Sequence, residues 1–335
     1  MSNKEGGQTI SHLASIELGL KCFRLMIAQV CKAGHLLRIT KATTFCEQVD
    51  LGRGLCIDKV INEEACQRGL RAVANFSLCL QSMDLNEVDV IASNSLSSAK
   101  NFNNFIANAQ EVLDFPIDII PGVKQASLLY ADIVDGDGYT ETNMLVIAIG
   151  GGSSTELILG DRSSPRVMES MYIGAGSITS QFFPLGYIDK FAFVDAQAHA
   201  TGELISIFDR CKGGDWGVVI GALDVIRSIH FIIKNNNLSS IDSGFLHTAR
   251  NLSSGKIMRN ELYALKHELL MYKHVDQISL LGVTSYERAV LPGGIAILIS
   301  FFDLLEISEI HVSHVSLASG VLNERIKQLQ GVQKN

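Results

Sequence analysis

Residues 150–155 form the stretch of this chain best suited to bind an anion. Three consecutive glycines are followed by three hydroxyl side chains, in the order Gly150, Gly151, Gly152, Ser153, Ser154 and Thr155. Because glycine has no Cβ, backbone N–H groups can come close to a ligand, and the hydroxyls add donors beside them. This combination is typical of a phosphate-binding loop. A glycine-rich turn with a purely structural role is an equally common use of the same residue types.

A second turn of the same kind lies near the start of the chain. A strand-like segment over residues 13–18 carries Glu17 close to its end, and Gly19 follows at a tight turn. The next segment, up to residue 30, is again rich in β-branched and large apolar residues, which is typical of a strand. The repetition of strand, glycine turn and strand favours a shared role for the two turns.

Helical and strand-like segments alternate after each turn. In the first half, helices are predicted over 62–81 and 98–113, and short buried strands over 88–93 and 117–120. The second half repeats this arrangement with insertions. The pattern predicts an α/β protein of two lobes, each built on a β-β-β-α-β-α-β plan, with the two glycine turns meeting across a cleft.

The lobe boundaries follow from this alternation. The first lobe is expected to cover residues 11–128 and the second residues 129–304, with a hinge near 127–132. A last strand and helix over 305–330 would pack back on the first lobe. A chain of 335 residues is long for one hydrophobic core and sufficient for two.

Composition and charge limit the classes of function. Hydrophobic residues make up 47% of the chain and charged residues 19%, which is typical of a folded protein. The net charge of −7 argues against nonspecific binding of nucleic acid and against an anionic membrane surface, since both require an excess of basic residues. No apolar run is long enough to span a bilayer, and the first residues lack the apolar region of a signal peptide. We therefore predict a cytoplasmic protein.

Several segments occur in the order seen in the exopolyphosphatase and guanosine pentaphosphate phosphohydrolase family, often called Ppx/GppA. They are the two glycine turns and residues 91–101, 120–130 and 291–298. The chain resembles this family over roughly residues 12–325, and it looks like the short form without additional C-terminal helical domains. The resemblance implies an actin-like, sugar-kinase-like fold of two RNase H-like lobes. It also implies a phosphate chain bound in the interlobe cleft, Mg²⁺, hydrolysis of a terminal phosphoanhydride and a homodimer.

The resemblance also assigns roles to residues in both turns. Glu17 and Glu156 match carboxylates expected to bind Mg²⁺ or to orient water, and they are the predicted metal ligands. Arg24 matches an arginine expected to hold the phosphate chain. Lys21 and Lys124 have no counterpart in the family pattern and would supply positive charge as point cations. The predicted phosphate-binding residues are Gly19, Lys21, Arg24 and the loop from Gly150 to Thr155.

Three positions depart from the family pattern in ways that bear on activity. The Asp expected to organise Mg²⁺ in the second turn is Ala148, and an arginine expected after the segment 91–96 is Ser97. The glutamate expected to act as general base is Gln125, whose amide cannot accept a proton at neutral pH. Loss of a general base typically slows a reaction by about 10²- to 10⁴-fold.

Three functions follow from the sequence as alternatives. The first is a weakly active phosphoanhydride hydrolase, acting on polyphosphate or guanosine pentaphosphate by in-line attack of water. The second is a catalytically silent relative that binds polyphosphate or a phosphate-rich nucleotide and signals through lobe closure. The third is a partner-binding protein with an empty cleft. Phosphate release identifies the first, and thermal stabilisation by a ligand without turnover identifies the second.

Overall fold

The chain folds into two compact units, each with its own sheet. The computed structural model describes residues 9–33, 36–54, 59–83, 85, 87–136, 143–211, 216–238 and 255–332. The first unit combines the chain up to residue 132 with the segment from residue 316 onward, and the second unit covers residues 133–315.

The first unit contains a five-stranded sheet in the order β3-β2-β1-β4-β5. Its strands are β1 (Thr9–Leu18), β2 (Cys22–Ala33), β3 (Leu36–Gln48), β4 (Glu87–Ser93) and β5 (Asp118–Ile120). The first three strands are antiparallel, and β4 and β5 continue the sheet in parallel with β1. This is the strand order of the RNase H-like plan expected from the sequence.

Helices cover both faces of this sheet. They are α1 (Glu63–Gln81), α2 (Phe102–Leu113) and α9 (Leu317–Val332). A further helix, α3 (Gly122–Gly136), follows β5 and extends past residue 132 into the second unit. The apolar sides of α1 and α2 pack on residues such as Ile16 and Leu25. Leu322 of α9 packs against Leu13 and Ala28, so α9 covers the opposite face.

The second unit repeats the same strand order. Its sheet runs β10-β11-β9-β6-β7-β8. Apart from the additional edge strand β10, the order β8-β7-β6-β9-β11 corresponds to β3-β2-β1-β4-β5 of the first sheet. β6 is buried along its whole length, as expected for a central strand. The strands are β6 (Met144–Ile149), β7 (Thr155–Gly160), β8 (Pro165–Met171), β9 (Val218–Ala222), β10 (Lys256–Met258) and β11 (Glu309–Val312). The predicted duplicated α/β fold is thus confirmed.

A long apolar helix forms the centre of the second unit. The helices there are α4 (Ala175–Phe182), α5 (Lys190–Cys211), α6 (Leu223–Asn235), α7 (Arg259–Met271) and α8 (Ser285–Leu304). α8 contacts the other four of these helices. Within the described part of the chain, no helix has both the length and the apolar character needed to cross a membrane.

Three segments noted in the sequence lie within regular helices or strands. Residues 127–132, where a hinge was expected, lie in helix α3, which crosses the boundary between the two units after residue 132. The last strand, β11, pairs with β9 of the second sheet instead of packing on the first unit, while α9 does pack there. Gly293 and Gly294, in the segment 291–298, lie buried inside α8 directly after Pro292.

Candidate functional site

The turn between β6 and β7 carries backbone donors that no described residue accepts. The N–H of Gly150 donates across the turn to the carbonyl of Ser154 at 3.2 Å. The N–H groups of Gly151, Gly152 and Ser153 have no hydrogen-bond acceptor among the described residues, and all three residues are only half-buried. Three adjacent unused donors of this kind can bind an anion.

The carbonyl groups of the same turn hold the first turn of α4. The N–H of Ala175 donates to the carbonyl of Gly150 at 3.1 Å, and the N–H of Ser177 donates to the carbonyl of Gly152 at 3.2 Å. These are donors that a helix N-terminus otherwise leaves unsatisfied. A Cβ on Gly174 would lie 2.2 Å from the carbonyl oxygen of Gly152, so this close approach requires glycine. Helix α4 therefore fixes the turn through its backbone.

Helix α8 supports the turn and α4 from the interior. The N–H of Gly293 donates to Oγ1 of Thr179 on α4 at 3.0 Å. The N–H of Gly293 is therefore used in a contact between the two helices. Near the start of α8, Tyr286 is only 2% exposed, and its hydroxyl oxygen would lie 1.8 Å from a Cβ added at Gly151. The turn thus rests on a buried phenol ring.

Glu156 lies on β7 directly opposite Ala148 of β6 on one side and Ser170 of β8 on the other. It is 0% exposed. Its Oε1 accepts hydrogen bonds from the hydroxyls of Ser154 at 2.8 Å and Ser170 at 3.3 Å. The neighbouring Thr155 donates its hydroxyl to the carbonyl of Ile173. Two of the hydroxyls predicted to hold phosphate therefore donate to protein groups in this structure.

In the first unit, Glu17 and Arg24 form a cross-strand pair on β1 and β2. Nη1 of Arg24 lies 2.9 Å from Oε2 of Glu17, and the exposed fractions of the two side chains are 15% and 10%. The same oxygen accepts the N–H of Ala318, in the first turn of α9, at 3.3 Å. A guanidinium and a helix N-terminus thus both neutralise this carboxylate.

The glycine turn of the first unit is closed by its own backbone. The N–H of Gly19 donates to the carbonyl of Cys22 at 3.3 Å, so this amide is used within the turn. The carbonyl of Lys21 accepts the N–H groups of Val49 and Asp50, both at 3.0 Å. The half-buried residue Lys21 is thereby anchored at its main chain.

Gln125 lies in the first turn of α3, and its side chain is buried. Its N–H donates to the carbonyl of Pro121 at 3.0 Å, and the residue is 4% exposed. Its side-chain oxygen, Oε1, accepts no hydrogen bond from any described residue. A buried acceptor left in this state costs about 1–3 kcal/mol, which a donor from water or a ligand would recover.

Lys124, one residue before Gln125, does not contribute a free charge. Its ammonium group pairs with the carboxylate of Glu324 on α9, and the exposed fractions of the two side chains are 39% and 38%. The positive charge of Lys124, which was expected to replace a missing cation, is therefore neutralised in a surface ion pair.

Comparison with models of known protein families identifies the family of this chain. The model of the Ppx/GppA phosphatase family matches residues 27–329. The chain belongs to this family.

Two kinds of relative are similar along almost the whole chain. A putative exopolyphosphatase of Haemophilus influenzae is 29% identical over 321 residues, which cover 96% of this chain and 93% of the relative. A guanosine-5'-triphosphate,3'-diphosphate pyrophosphatase of Pseudoalteromonas translucida is 28% identical over 316 residues. That match covers 94% of this chain but only 59% of the relative, so the chain spans about three fifths of its length.

Solved Ppx/GppA structures share the fold. An exopolyphosphatase from Cytophaga hutchinsonii has a TM-score of 0.77 at 18% identity, covering 95% of this chain and 98% of that chain. A family member from Aquifex aeolicus has a TM-score of 0.70 at the same identity of 18% and the same coverage of 95% and 98%.

The Ppx/GppA resemblance implies Mg²⁺, but the residues at the expected positions do not fit a protein-bound Mg²⁺. The described residues contain no group of three or more His, Cys, Asp or Glu side chains that could hold a metal. Glu17 already accepts from a guanidinium, and Glu156 from two hydroxyls. Ala148, opposite Glu156, offers no side-chain oxygen. Mg²⁺ requires nearly octahedral oxygen coordination, which the side chains at these positions do not supply.

Sequence reasoning missed the residues that support the turn from elsewhere in the chain. Tyr286 and Thr179 gave no local signal, because their role depends on the packing of α8 on α4. Ser170 could have been found from strand register, since β7 and β8 were both predicted and their pairing places it beside Glu156.

Proposed function

We propose that this chain binds the terminal phosphates of a phosphoanhydride chain at the β6–β7 turn and hydrolyses the terminal bond slowly. The observation that supports this most is the set of three unused N–H groups at Gly151, Gly152 and Ser153. Backbone donors of a rigid turn are already oriented before the ligand arrives, so they lose little entropy on binding.

Inorganic polyphosphate is the first substrate to test, and guanosine pentaphosphate is the second. The relative whose length matches this chain, at 93% coverage, is named a putative exopolyphosphatase. The match to the relative named for the guanosine nucleotide covers only 59% of that relative, so that relative has a further part outside the match.

The proposed reaction is in-line attack of water on the terminal phosphorus. The turn would hold the terminal phosphate, and Arg24 and Lys21 keep, as a proposal, the phosphate-binding role that the family resemblance assigns to them. Gln125 can orient a water molecule through its amide, as glutamine does in other phosphate hydrolases, but it cannot take the proton. We therefore expect turnover about 10²- to 10⁴-fold below that of an enzyme with a carboxylate at this position.

The second candidate is a phosphate-binding protein without turnover, and Gln125 is the residue that favours it. A buried amide in place of a base preserves ligand contacts while removing proton transfer. In this case the chain would respond to its ligand by a conformational change alone. A cytoplasmic homodimer is proposed for either candidate from the family resemblance.

Phosphate release and ligand binding together separate these candidates. Release of phosphate from polyphosphate and from guanosine pentaphosphate should be measured beside calorimetric binding of the same compounds. The variant Gly151→Ala should weaken binding, because its methyl group meets the hydroxyl of Tyr286 and displaces the turn. Gly202→Ala is the matched control, since a Cβ at that position of α5 meets no atom within 4 Å.

Each outcome has a distinct meaning. Slow release by the parent chain that Gly151→Ala reduces and Gly202→Ala preserves supports the hydrolase. Binding without release supports the silent protein. If neither compound binds, or if Gly151→Ala binds as well as the parent, the β6–β7 turn is not the phosphate site.

A further inference from the structure

The two units carry equivalent cross-strand pairs next to their glycine turns. Glu17 of β1 faces Arg24 of β2, and Ala148 of β6 faces Glu156 of β7. Since β1 and β6 occupy the same place in the two sheets, Ala148 corresponds to Glu17 and Glu156 to Arg24. In both units the pair lies one residue before the end of the strand that leads into the turn.

In the first unit this arrangement leaves little negative charge to attract a cation. The guanidinium of Arg24 and the N–H of Ala318 both donate to Oε2 of Glu17. A divalent cation bound to this carboxylate would have to approach a fixed positive charge on the opposite strand. The repulsion would be strong because both side chains are largely removed from water.

In the second unit the carboxylate is held by neutral donors in a buried site. Ser154 and Ser170 both donate to Oε1 of Glu156, which has no exposed surface. Ala148 occupies the directly opposite position and is also 0% exposed. A second carboxylate at this position would complete a cation site, but alanine presents only a methyl group. A cation beside Glu156 would gain no side-chain oxygen from the directly opposite residue, Ala148.

We infer that the phosphate site of this chain binds its anion without a divalent cation bridging the ligand and the protein. This inference rests on the proposed function, because it concerns the same β6–β7 turn. The N–H groups of Gly151, Gly152 and Ser153 supply the donors. The ligand is a free oligophosphate anion, and its metal complex is not required.

Binding of sodium tripolyphosphate tests this directly. Calorimetric titration of the full chain should give a dissociation constant in EDTA that is equal to or lower than the constant in excess Mg²⁺, because Mg²⁺ competes for the free anion. Binding that is tenfold or more tighter in Mg²⁺ overturns the inference while leaving the phosphate site intact. Absence of binding in both buffers overturns the proposed function together with the inference.

A measurement without any phosphate ligand examines the metal alone. The melting temperature of the parent chain should differ by less than about 1 °C between EDTA and millimolar Mg²⁺, since a ligand stabilises only the state that binds it. A larger rise in Mg²⁺ contradicts the inference.

The variant Ala148→Asp provides the positive control, with Ala148→Asn as its uncharged match. Aspartate at this position would place a second buried carboxylate opposite Glu156, which is unfavourable unless a cation lies between them. In EDTA, Ala148→Asp should melt below Ala148→Asn, and Mg²⁺ should raise only the melting temperature of Ala148→Asp. If Mg²⁺ stabilises the parent as much as Ala148→Asp, the parent already binds the cation and the inference is wrong. If Ala148→Asp does not fold, the parent measurements decide alone.

Discussion

The hydroxyl oxygen of Tyr286 occupies the space that a side chain at position 151 would need. A Cβ built on Gly151 lies 1.8 Å from this oxygen and 2.8 Å from the ring carbon that carries it. Tyr286 begins the buried face of α8, while Gly151 belongs to the half-buried turn that offers its N–H groups to a ligand. The conformation of the turn is therefore set by a residue of the core.

Replacing Gly151 tests this contact. Gly151→Ala should lower the stability of the chain by about 1–3 kcal/mol, the usual cost of overpacking a well-packed site. In the background Tyr286→Phe the same substitution should cost less, because the nearest atom is gone. Urea unfolding of the four chains in this cycle measures the coupling. Equal costs of Gly151→Ala in both backgrounds would contradict the contact.

Substitutions at Gln125 test whether its buried oxygen is kept for a ligand. Gln125→Leu should leave stability unchanged or raise it in the absence of ligand, because an unsatisfied acceptor is removed. The same variant should weaken tripolyphosphate binding or phosphate release. A loss of stability with unchanged ligand binding would show that Gln125 serves the fold alone.

Gln125→Glu makes a prediction about pH. A carboxyl group at this buried position should have a raised pKa, because burial disfavours its charged form. The folded state then binds a proton more tightly than the unfolded state, so stability should rise as the pH falls through the raised pKa. Thermal unfolding between pH 5 and pH 8 should show the variant approaching Gln125→Leu at the acidic end. No change in that difference with pH would argue against burial of residue 125.

The pair of Glu17 and Arg24 should contribute far more than a surface ion pair. Arg24→Met leaves the buried carboxylate without its cation, and breaking such a pair typically costs about 3–5 kcal/mol. Lys124→Met is the comparison, since its half-exposed pair with Glu324 should contribute about 0–1 kcal/mol. Urea midpoints of the two variants measure the contrast. Comparable losses in both would show that the environment of Glu17 is more polar than the structure indicates.

Glu309 should give the second unit a dependence on acidic pH. The hydrogen bond from Lys256, on the neighbouring strand β10, lowers the pKa of this carboxyl group below 4.5. A lowered pKa in the folded state means that the stabilisation is complete above the unfolded value and is lost as the pH falls through the folded one. The melting temperature of the parent should therefore exceed that of Glu309→Gln at neutral pH, and the difference should shrink below about pH 4.

The variant Lys256→Met is the control for this pH dependence. Without the ammonium group, Glu309→Gln should have a smaller effect at neutral pH, and the remaining difference should depend less on pH. A pH dependence that persists unchanged in this background would assign the effect to another group.

The parts of the structure that depend on local pattern could be predicted from the sequence. Apolar segments and glycine turns identified the first strands of both sheets, and the helix predicted over 62–81 is α1, which Asn62 caps. Glu17 was found because it lies close to a glycine turn, and Glu156 was assigned through the family resemblance. These features are encoded within a few residues of one another.

The remainder depends on contacts between distant segments. Proline followed by two glycines favours a turn by local preference, yet these residues continue α8. Gly293 and Gly294 have no Cβ, so α8 can lie close to α4 and α6. The pairing of Glu17 with Ala318 joins the two ends of the chain, and nothing in either segment alone indicates it. Packing overrides propensity at these positions.

Because Gly293 and Gly294 bring α8 against α4 and α6, the geometry of the β6–β7 turn depends on residues that lie outside the turn. Gly294 faces Val225 of α6, and Gly293 faces the backbone of α4, whose first N–H groups hold the carbonyls of the turn. Substitutions of apolar residues along these buried helices would therefore change the conformation of the turn, and with it the proposed affinity for an anion. In this family, two chains with identical loop sequences need not have identical ligand preferences.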